Sequence, residues 1–267
     1  MRFLGEKKEY LEVNRTRFYY ELSGSGETIT FIHGFSFDTR SWDDQFHHFV
    51  KNYQVLRYDM RGFGKSSPPD KKEYSHDEDL KLILDSLDIS KTHVIGHSLG
   101  GFVAINFALN FPEYTRSLIG VDPALGGYEW SPEIVDWMNK VWTMGKNSDL
   151  QEVKEAWRNF PSVKPLINNT RSGEYVKKMI NDYSGWDWFN EDPHRVSEKQ
   201  AIERLSEINI STLITLGELN PKDYYNIVYI MVKNIPNAKK AIIKGTNHYP
   251  QMENADQFNK EVENFLN

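Results

Sequence analysis

A turn of the form G-x-S-x-G at residues 96–100 places Ser98 between two apolar segments. Residues 92–95 form a pattern typical of a buried strand, and residues 99–110 are apolar at nearly every position of a helix. A serine at such a strand-to-helix turn adopts a strained conformation and tolerates only small neighbours, which Gly96 and Gly100 provide. The pattern predicts that Ser98 is a nucleophile rather than a structural turn residue.

Activation of a serine hydroxyl requires a base, and His248 is the histidine best placed to supply one. It lies late in the chain, in a loop between a buried strand and the closing helix. His97 adjoins Ser98, but we expect its side chain to point away along the turn. His47 and His48 lie on an early helix. We interpret these three histidines as packing or solvent-exposed residues.

Acyl transfer also requires two donors that face the developing oxyanion. The turn supplies one of them, the backbone N–H of Leu99, at a helix N-terminus where the helix dipole helps. We expect the second donor to be the backbone N–H of Phe35, in the loop after His33 and Gly34. His33 itself is expected to be a buried, hydrogen-bonded structural residue.

Strands and helices must position these groups, and in this sequence they alternate along the chain. That alternation predicts a mostly parallel sheet covered by helices on both faces. An antiparallel hairpin at a sheet edge is predicted for residues 9–13 and 17–22. Further strands are predicted at residues 28–32, 54–58, 92–95, 115–121, 211–216 and 240–243, and helices at 75–87, 99–110 and 255–266. Ser75 and Glu78 are expected to form a capping box at the first of these helices.

The pattern of strands stops between residues 124 and 205, where amphipathic helical stretches are interrupted by glycine and proline. We interpret residues 124–205 as an inserted helical lid, and residues 1–123 and 206–267 as the core domain. The lid contains six of the seven tryptophans. Most of them should build the lid's own small core, because aromatic side chains bury the most apolar area. Trp142 and Trp186 are our candidates for contact with a substrate.

The composition indicates a globular protein with one large core, since 39% of its 267 residues are hydrophobic. A net charge of -6 provides no basic surface for nucleic acid. No apolar run reaches 18 residues and the N-terminal residues form no apolar secretion segment, so we expect no membrane span and a cytoplasmic location. The absence of cysteine excludes disulfides and thiolate chemistry, and no metal ligands are assigned. Nothing in the sequence indicates an oligomeric state.

Four motifs in the same order resemble those of the α/β-hydrolase superfamily: H-G-F at 33–35, Y-D-M-R-G-F-G-K-S at 58–66, G-H-S-L-G-G at 96–101 and N-H-Y-P-Q-M-E-N at 247–254. Within that superfamily, the chain is similar to the lid-bearing esterases and enol-lactonases. The resemblance covers the chain apart from the lid. It implies an eight-stranded sheet, a lid inserted after the sixth strand, no cofactor, and a catalytic order of serine, acid and histidine.

The acid of that order is displaced in this sequence. The family usually places an aspartate just after the seventh strand, where the stretch G-E-L-N at 217–220 ends in Asn220. Some relatives place their acid at the end of the sixth strand instead, and Asp122 occupies that position. Asp122 is therefore favoured as the triad acid. Glu218, Asp223 or no acid at all are the alternatives.

These features predict a serine hydrolase that cleaves ester, lactone or thioester bonds of a small to medium apolar substrate through an acyl-enzyme. Ser98 disfavours dehalogenases and epoxide hydrolases, which need aspartate at this position. Hydroxynitrile lyases, thioesterases and cofactor-free haloperoxidases stay open. The alternative is a ligand-binding or signalling protein that has kept the fold and lost catalysis, for which Asn220 is the evidence.

Overall fold

The computed structural model describes residues 7–169 and 171–267, which form one sheet of eight strands. The strands are β1 Lys7–Val13, β2 Thr16–Gly24, β3 Thr28–Ile32, β4 Gln54–Tyr58, β5 Thr92–His97, β6 Thr115–Val121, β7 Thr212–Gly217 and β8 Ala238–Ile243. Their spatial order is β1-β2-β4-β3-β5-β6-β7-β8. β2 is antiparallel to both of its neighbours, and all other pairs are parallel.

Helices connect the strands and cover the sheet. They are α1 Asp43–Phe49, α2 His76–Ser86, α3 Leu99–Asn110, α4 Pro132–Asn147, α5 Leu150–Arg158, α6 Lys164–Ile167, α7 Gly173–Asp182, α8 Trp186–Phe189, α9 Ala201–Arg204, α10 Lys222–Asn234, α11 Pro250–Glu253 and α12 Ala255–Leu266. Short 3₁₀ turns occur at Thr39–Trp42, Pro112–Tyr114 and Leu205–Glu207. Within the described residues, no helix is long and apolar enough to cross a membrane.

The central strands are apolar on both sides because two separate hydrophobic layers enclose the sheet. Val94 of β5 and Leu118 of β6 face the layer that contains α2, α3 and α10, whereas the adjacent Ile95 and Ile119 face the layer of α1 and α12. Successive strand residues point to opposite faces, so a strand covered on both faces becomes a continuous apolar run. This explains why the sequence pattern located β3 to β7 closely.

The six helices α4 to α9 fill the connection between β6 and β7, so the predicted fold with a helical insertion after the sixth strand is confirmed. One helix of the core differs most from the sequence prediction. Helix α10 was not predicted, because its many tyrosine and β-branched residues are weak helix formers. Its buried side chains at Tyr224, Ile227, Val228 and Met231 nevertheless follow helical spacing, so tertiary packing determines its conformation.

The predicted capping box at the start of α2 is wrong. Ser75 does occupy the N-cap position with extended backbone, but its side chain makes no capping hydrogen bond. Arg195 from the lid binds the carboxylate of Glu78 and also donates a hydrogen bond to the Ser75 hydroxyl at 3.5 Å. The lid therefore uses the two polar groups that the sequence pattern assigned to the cap.

Candidate active site

Ser98 lies at the turn between β5 and α3, with φ 51° and ψ -112°. This conformation is costly for a residue with a side chain, about 1–3 kcal/mol, so the surroundings must enforce it. The Ser98 N–H donates to the carbonyl of Val121 at 3.0 Å, and the Ser98 carbonyl accepts from the N–H groups of Phe102 and Ala124, also at 3.0 Å. Backbone hydrogen bonds to three residues therefore hold the serine in place.

Two glycines allow this turn to be tight. A Cβ atom on Gly96 would lie 2.0 Å from the carbonyl oxygen of Gly100, and one on Gly100 would lie 2.3 Å from the carbonyl oxygen of Ile32. Both obstacles are backbone atoms that cannot rotate away. The strand end, the turn and the first turn of α3 therefore approach one another more closely than any residue with a side chain would permit.

The backbone N–H groups of Phe35 and Leu99 have no hydrogen-bond acceptor among the described residues, and both residues line the same cavity as Ser98. Ser36, which follows Phe35, has φ 63°. The indole N–H of Trp157 in the lid donates to the Ser36 hydroxyl at 2.6 Å, so the lid holds the loop that carries Phe35. Two unused donors beside a serine are what an oxyanion hole requires.

His248 is buried and lines that cavity. Its Nε2 atom lies 3.4 Å from the Tyr224 hydroxyl, and its Nδ1 atom is buried with no hydrogen-bond partner among the described residues. The Ser98 hydroxyl likewise has no hydrogen-bond partner among the described residues. Burial lowers the pKa of His248 well below its ordinary value, and the neighbouring His97 lowers this pKa further. The imidazole is therefore neutral at pH 7 and can accept a proton.

The loop that carries His248 is held by two groups that the sequence analysis did not assign to the site. His97 is fully buried and donates from Nε2 to the backbone carbonyl of His248 at 2.8 Å. The Glu253 carboxylate accepts from the N–H groups of Asn247 at 3.0 Å and Tyr249 at 3.1 Å, on either side of the histidine. A histidine next to Ser98 and an acid five residues after His248 were the only sequence signals for these roles.

His33 occupies the structural position expected for it. It is fully buried, its Nδ1 donates to the Gly34 carbonyl at 2.8 Å, and its Nε2 accepts from the Met60 N–H at 2.9 Å. Burial lowers the pKa of His33 to about 4, so the ring is neutral. Because backbone groups occupy both nitrogens, this histidine has no free atom with which to act on a substrate.

The carboxylate of Asp122 lies at the end of β6 and is fully buried. It accepts from the Gly217 N–H at 3.2 Å and from the side-chain amide of Asn220 at 2.5 Å. Burial raises the pKa of Asp122 well above its ordinary value, and the Gly217 N–H opposes this rise. No hydrogen bond joins the Asp122 carboxylate to the His248 ring within the described residues.

Asn220 contacts both Asp122 and the loop that carries His248. Its Nδ2 atom faces two oxygen acceptors, Oδ1 of Asp122 and, at 3.3 Å, the carbonyl of Asn247. This arrangement determines which end of the amide is nitrogen, because only the NH₂ group can donate to both oxygens. The Asn220 Oδ1 atom, like Nδ1 of His248, is buried without a partner in the described part of the chain. An unused acceptor and an unused ring nitrogen thus lie in adjacent loops.

The alternative acids are engaged elsewhere. Glu218 is exposed, and its carboxylate accepts from the Gly245 N–H at 2.9 Å. The Asp223 carboxylate accepts from the Ser131 hydroxyl at 2.7 Å and from the Tyr128 hydroxyl at 3.1 Å, which ties α10 to the start of the lid. Neither carboxylate is hydrogen-bonded to His248.

A cavity of about 820 Å³ between the core and the lid is lined by Ser98, His248, Phe35 and Leu99. Trp142, one of the two candidates for contact with a substrate, lines it. Trp186, the other candidate for contact with a substrate, is not among the lining residues: its ring lies near Gly62, whereas Trp188 on the opposite side of the short helix α8 lines the cavity. Trp188 is fixed in that position because α8 packs closely against Gly145 of α4. The lining also includes Trp130 and Trp157.

A strained serine after a parallel strand, a neutral histidine from a late loop and two residues with free N–H groups line one cavity beside a doubly covered sheet, an arrangement typical of α/β hydrolases. The model of the alpha/beta hydrolase fold family matches residues 27–255. The chain belongs to that family, and it is a hydrolase of the family.

Known relatives share this architecture over most of their length. The chain is 26% identical to a 2-hydroxy-6-oxo-6-phenylhexa-2,4-dienoate hydrolase of Burkholderia cepacia, over 94% of this chain and 91% of the relative. It is 25% identical to a pimeloyl-[acyl-carrier protein] methyl ester esterase of Legionella pneumophila, over 91% and 96%. The enol-lactonase of Burkholderia xenovorans has the same fold, with a TM-score of 0.77, 20% identity and coverage of 97% and 99%.

The close approach at the turn leads to a first prediction. Gly96→Ala should lower kcat/KM by more than about 100-fold, because shifting the Gly100 carbonyl displaces Ser98 from its working position. The comparison is Gly245→Asn, since Gly245 lies in a loop with positive φ, 69°, and has no atom within 4 Å of a Cβ position. Asparagine tolerates this conformation, so that variant should stay active. A folded Gly96→Ala protein with normal activity, checked by circular dichroism, would contradict the account of the turn.

Proposed function

We propose that this protein is a serine hydrolase that cleaves carboxylic ester bonds, including lactones, in substrates of small to medium size. The observation that carries the proposal is the position of Ser98 at a strained turn, in one cavity with the neutral His248 and two unused backbone N–H donors. An esterase and an enol-lactonase among the similar proteins support the same reaction class.

The proposed reaction proceeds in two halves. The Ser98 hydroxyl attacks the ester carbonyl while Nε2 of His248 takes its proton, and the N–H groups of Phe35 and Leu99 bind the oxyanion. The imidazolium then returns the proton to the departing alkoxide, leaving an acyl group on Ser98. A water molecule, deprotonated by His248, attacks that acyl group. The tetrahedral intermediate collapses, the acid is released and the serine regains its proton.

The charges around the cavity favour a neutral ester over the dienoate substrates named for the C–C hydrolase relative. Of the described residues that line the cavity, Asp187, Glu191 and Asp192 carry carboxylates, and Lys146 is the only lysine or arginine. A substrate carboxylate would face repulsion from these groups. Cleavage of a C–C bond in an anionic dienoate is therefore the weaker candidate.

We further propose that Asp122 is the acid of the site and acts through Asn220. In this arrangement the Asn220 Oδ1 accepts the Nδ1–H of His248, while its NH₂ group donates to the Asp122 carboxylate. The bond to the Asp122 carboxyl group polarises the amide and strengthens its oxygen as an acceptor. Pairing the two buried, unused atoms would remove the cost of leaving both unsatisfied.

The reaction predicts strongly coupled effects at the serine and the base. Ser98→Ala and His248→Ala should each lower kcat for p-nitrophenyl butyrate by about 10³-fold or more, and the double variant should lose little further activity, because the two groups act as one unit. Steady-state kinetics with active-site titration provide the measurement. Near-normal turnover in Ser98→Ala would show that another group is the nucleophile.

The acid arrangement predicts that both of its members are needed. Asp122→Asn and Asn220→Ala should each reduce kcat by about 10–10³-fold, because each breaks the chain that orients and stabilises His248. Glu218→Gln is the matched control, since this carboxylate lies near the same loop without contact to the histidine. A large loss in Asp122→Asn with none in Asn220→Ala would mean that the aspartate acts alone.

Exchanging the two groups tests the same arrangement through pH. Activity requires neutral His248, whose lowered pKa places the acid limb of kcat/KM well below pH 6.5. The double variant Asp122→Asn/Asn220→Asp moves the carboxylate next to the imidazole, which favours the imidazolium and raises the pKa of His248. Its acid limb should shift to higher pH, with activity above that of Asp122→Asn alone. An unshifted limb would show that position 220 does not face the ring.

A further inference from the structure

One side of the cavity carries polar groups that the proposed reaction does not use. These are His76 at the start of α2, and Asp187, Asp192 and His194 in the last part of the lid. The Asp192 carboxylate accepts from the Tyr74 hydroxyl at 2.9 Å and from the His194 backbone N–H at 3.1 Å. The rings of His76 and His194 stack with centroids 5.1 Å apart, so core and lid both contribute to this polar side.

His76 is the unusual member of the group. It is only 6% exposed, lines the cavity and has no hydrogen-bond partner for either ring nitrogen among the described residues. Burial, the neighbouring His194 and the nearby Arg61 all lower the pKa of His76, so the ring is neutral. A neutral imidazole has one N–H donor and one nitrogen acceptor, and in His76 neither is used within the described part of the protein. The side chain is therefore ready to bond to a ligand group.

The surroundings of His76 restrict which chemical group of a ligand can bind to its ring. The Asp187 and Asp192 carboxylates would repel an anion, and Asp187 is already bound by the Tyr183 hydroxyl. An ammonium group could only donate, whereas a hydroxyl both donates and accepts and matches a neutral imidazole in either tautomer. A hydroxyl therefore fits better than a carboxylate or an ammonium group.

This polar side is close to the nucleophile. Phe102 lies one helical turn after Ser98 on α3, and its ring centroid is 6.1 Å from that of His194. Phe102 and Leu99 both line the cavity, so its wall continues from the serine to the two histidines. A substrate of medium length bound at Ser98 can extend along this wall.

We propose that His76, supported by His194 and Asp192, binds a hydroxyl group of the substrate, so that the natural substrate is a hydroxylated ester or lactone. The proposal rests on the ester hydrolysis proposed above. It assigns His76 the role of a specificity-determining residue, apart from Ser98 and His248.

The kinetic test compares isosteric esters on the wild-type protein and on His76→Phe. The methyl esters of hexanoic, 6-hydroxyhexanoic, 6-aminohexanoic and adipic acid, with their four- to eight-carbon homologues, place a terminal hydroxyl, amino or carboxyl group on the acyl side of the ester. Methyl hexanoate is the plain ester of this series. Hexyl and 6-hydroxyhexyl acetate place it on the alcohol side. In one of the two series the wild type should favour the hydroxylated ester over the plain one by about tenfold in kcat/KM, the effect of about 1.4 kcal/mol. His76→Phe should lose this preference and keep its activity on the plain ester.

Two controls separate a specific contact from general damage. His47→Phe changes an exposed histidine and should keep the hydroxyl preference. His76→Phe removes polar atoms that have no partner, so its melting temperature should equal or exceed that of the wild type. A preference for the amino or carboxyl ester, no preference in either series, or a hydroxyl preference that survives in His76→Phe would each overturn the proposal.

A binding experiment keeps this inference separate from the proposed reaction. Calorimetry on Ser98→Ala, which cannot form the acyl-enzyme, measures the affinity for the same hydroxylated and plain esters. If the wild type hydrolyses no ester, the proposed function fails. Tighter binding of the hydroxylated ester to Ser98→Ala, lost in Ser98→Ala/His76→Phe, would still support the polar subsite, and equal binding of both esters would overturn it.

Discussion

The structure depends on the close backbone approach at the turn that holds Ser98. Gly96, Gly100 and the end of β3 pack so tightly that no side chain fits between them, and hydrogen bonds from the Val121 to Ala124 region fix the serine in its strained conformation. This packing also brings the free N–H of Leu99 beside the Ser98 side chain. Sheet, helix and loop therefore meet at one point, and the cost of the strained serine is offset by the packing of the whole sheet.

A second network holds His248 and the buried Asp122. His97 and Glu253 hold the backbone around His248, while Asp122 and Asn220 meet behind it at the ends of β6 and β7. In parallel sheets these strand ends share one edge, so residues far apart in sequence converge there. Burial keeps the imidazole neutral, which suits a general base. The proposed amide link explains how the site can work with asparagine at the usual position of the acid.

Much of the fold was predictable because both faces of the central strands are buried, which leaves a continuous apolar signal. The positions of Ser98, Phe35 and Leu99 followed from local motifs. The link through Asn220 could not be predicted, since it depends on how two loops 27 residues apart approach each other. Whether Trp186 or Trp188 faces the cavity depends on the rotation of the four-residue helix α8 about its axis. Close packing of α8 against Gly145 determines that rotation. Periodicity carries no information about either.

The most direct test of the central claim is to locate the covalent adduct formed with an alkyl fluorophosphonate. The native protein is incubated with the reagent, digested and analysed by tandem mass spectrometry, with His248→Ala as the comparison. The account predicts one modified residue, Ser98, at close to one adduct per chain, and a much slower reaction in the variant that lacks the base. Labelling at another residue, or no labelling of native protein, would contradict the assignment of Ser98 as the activated nucleophile.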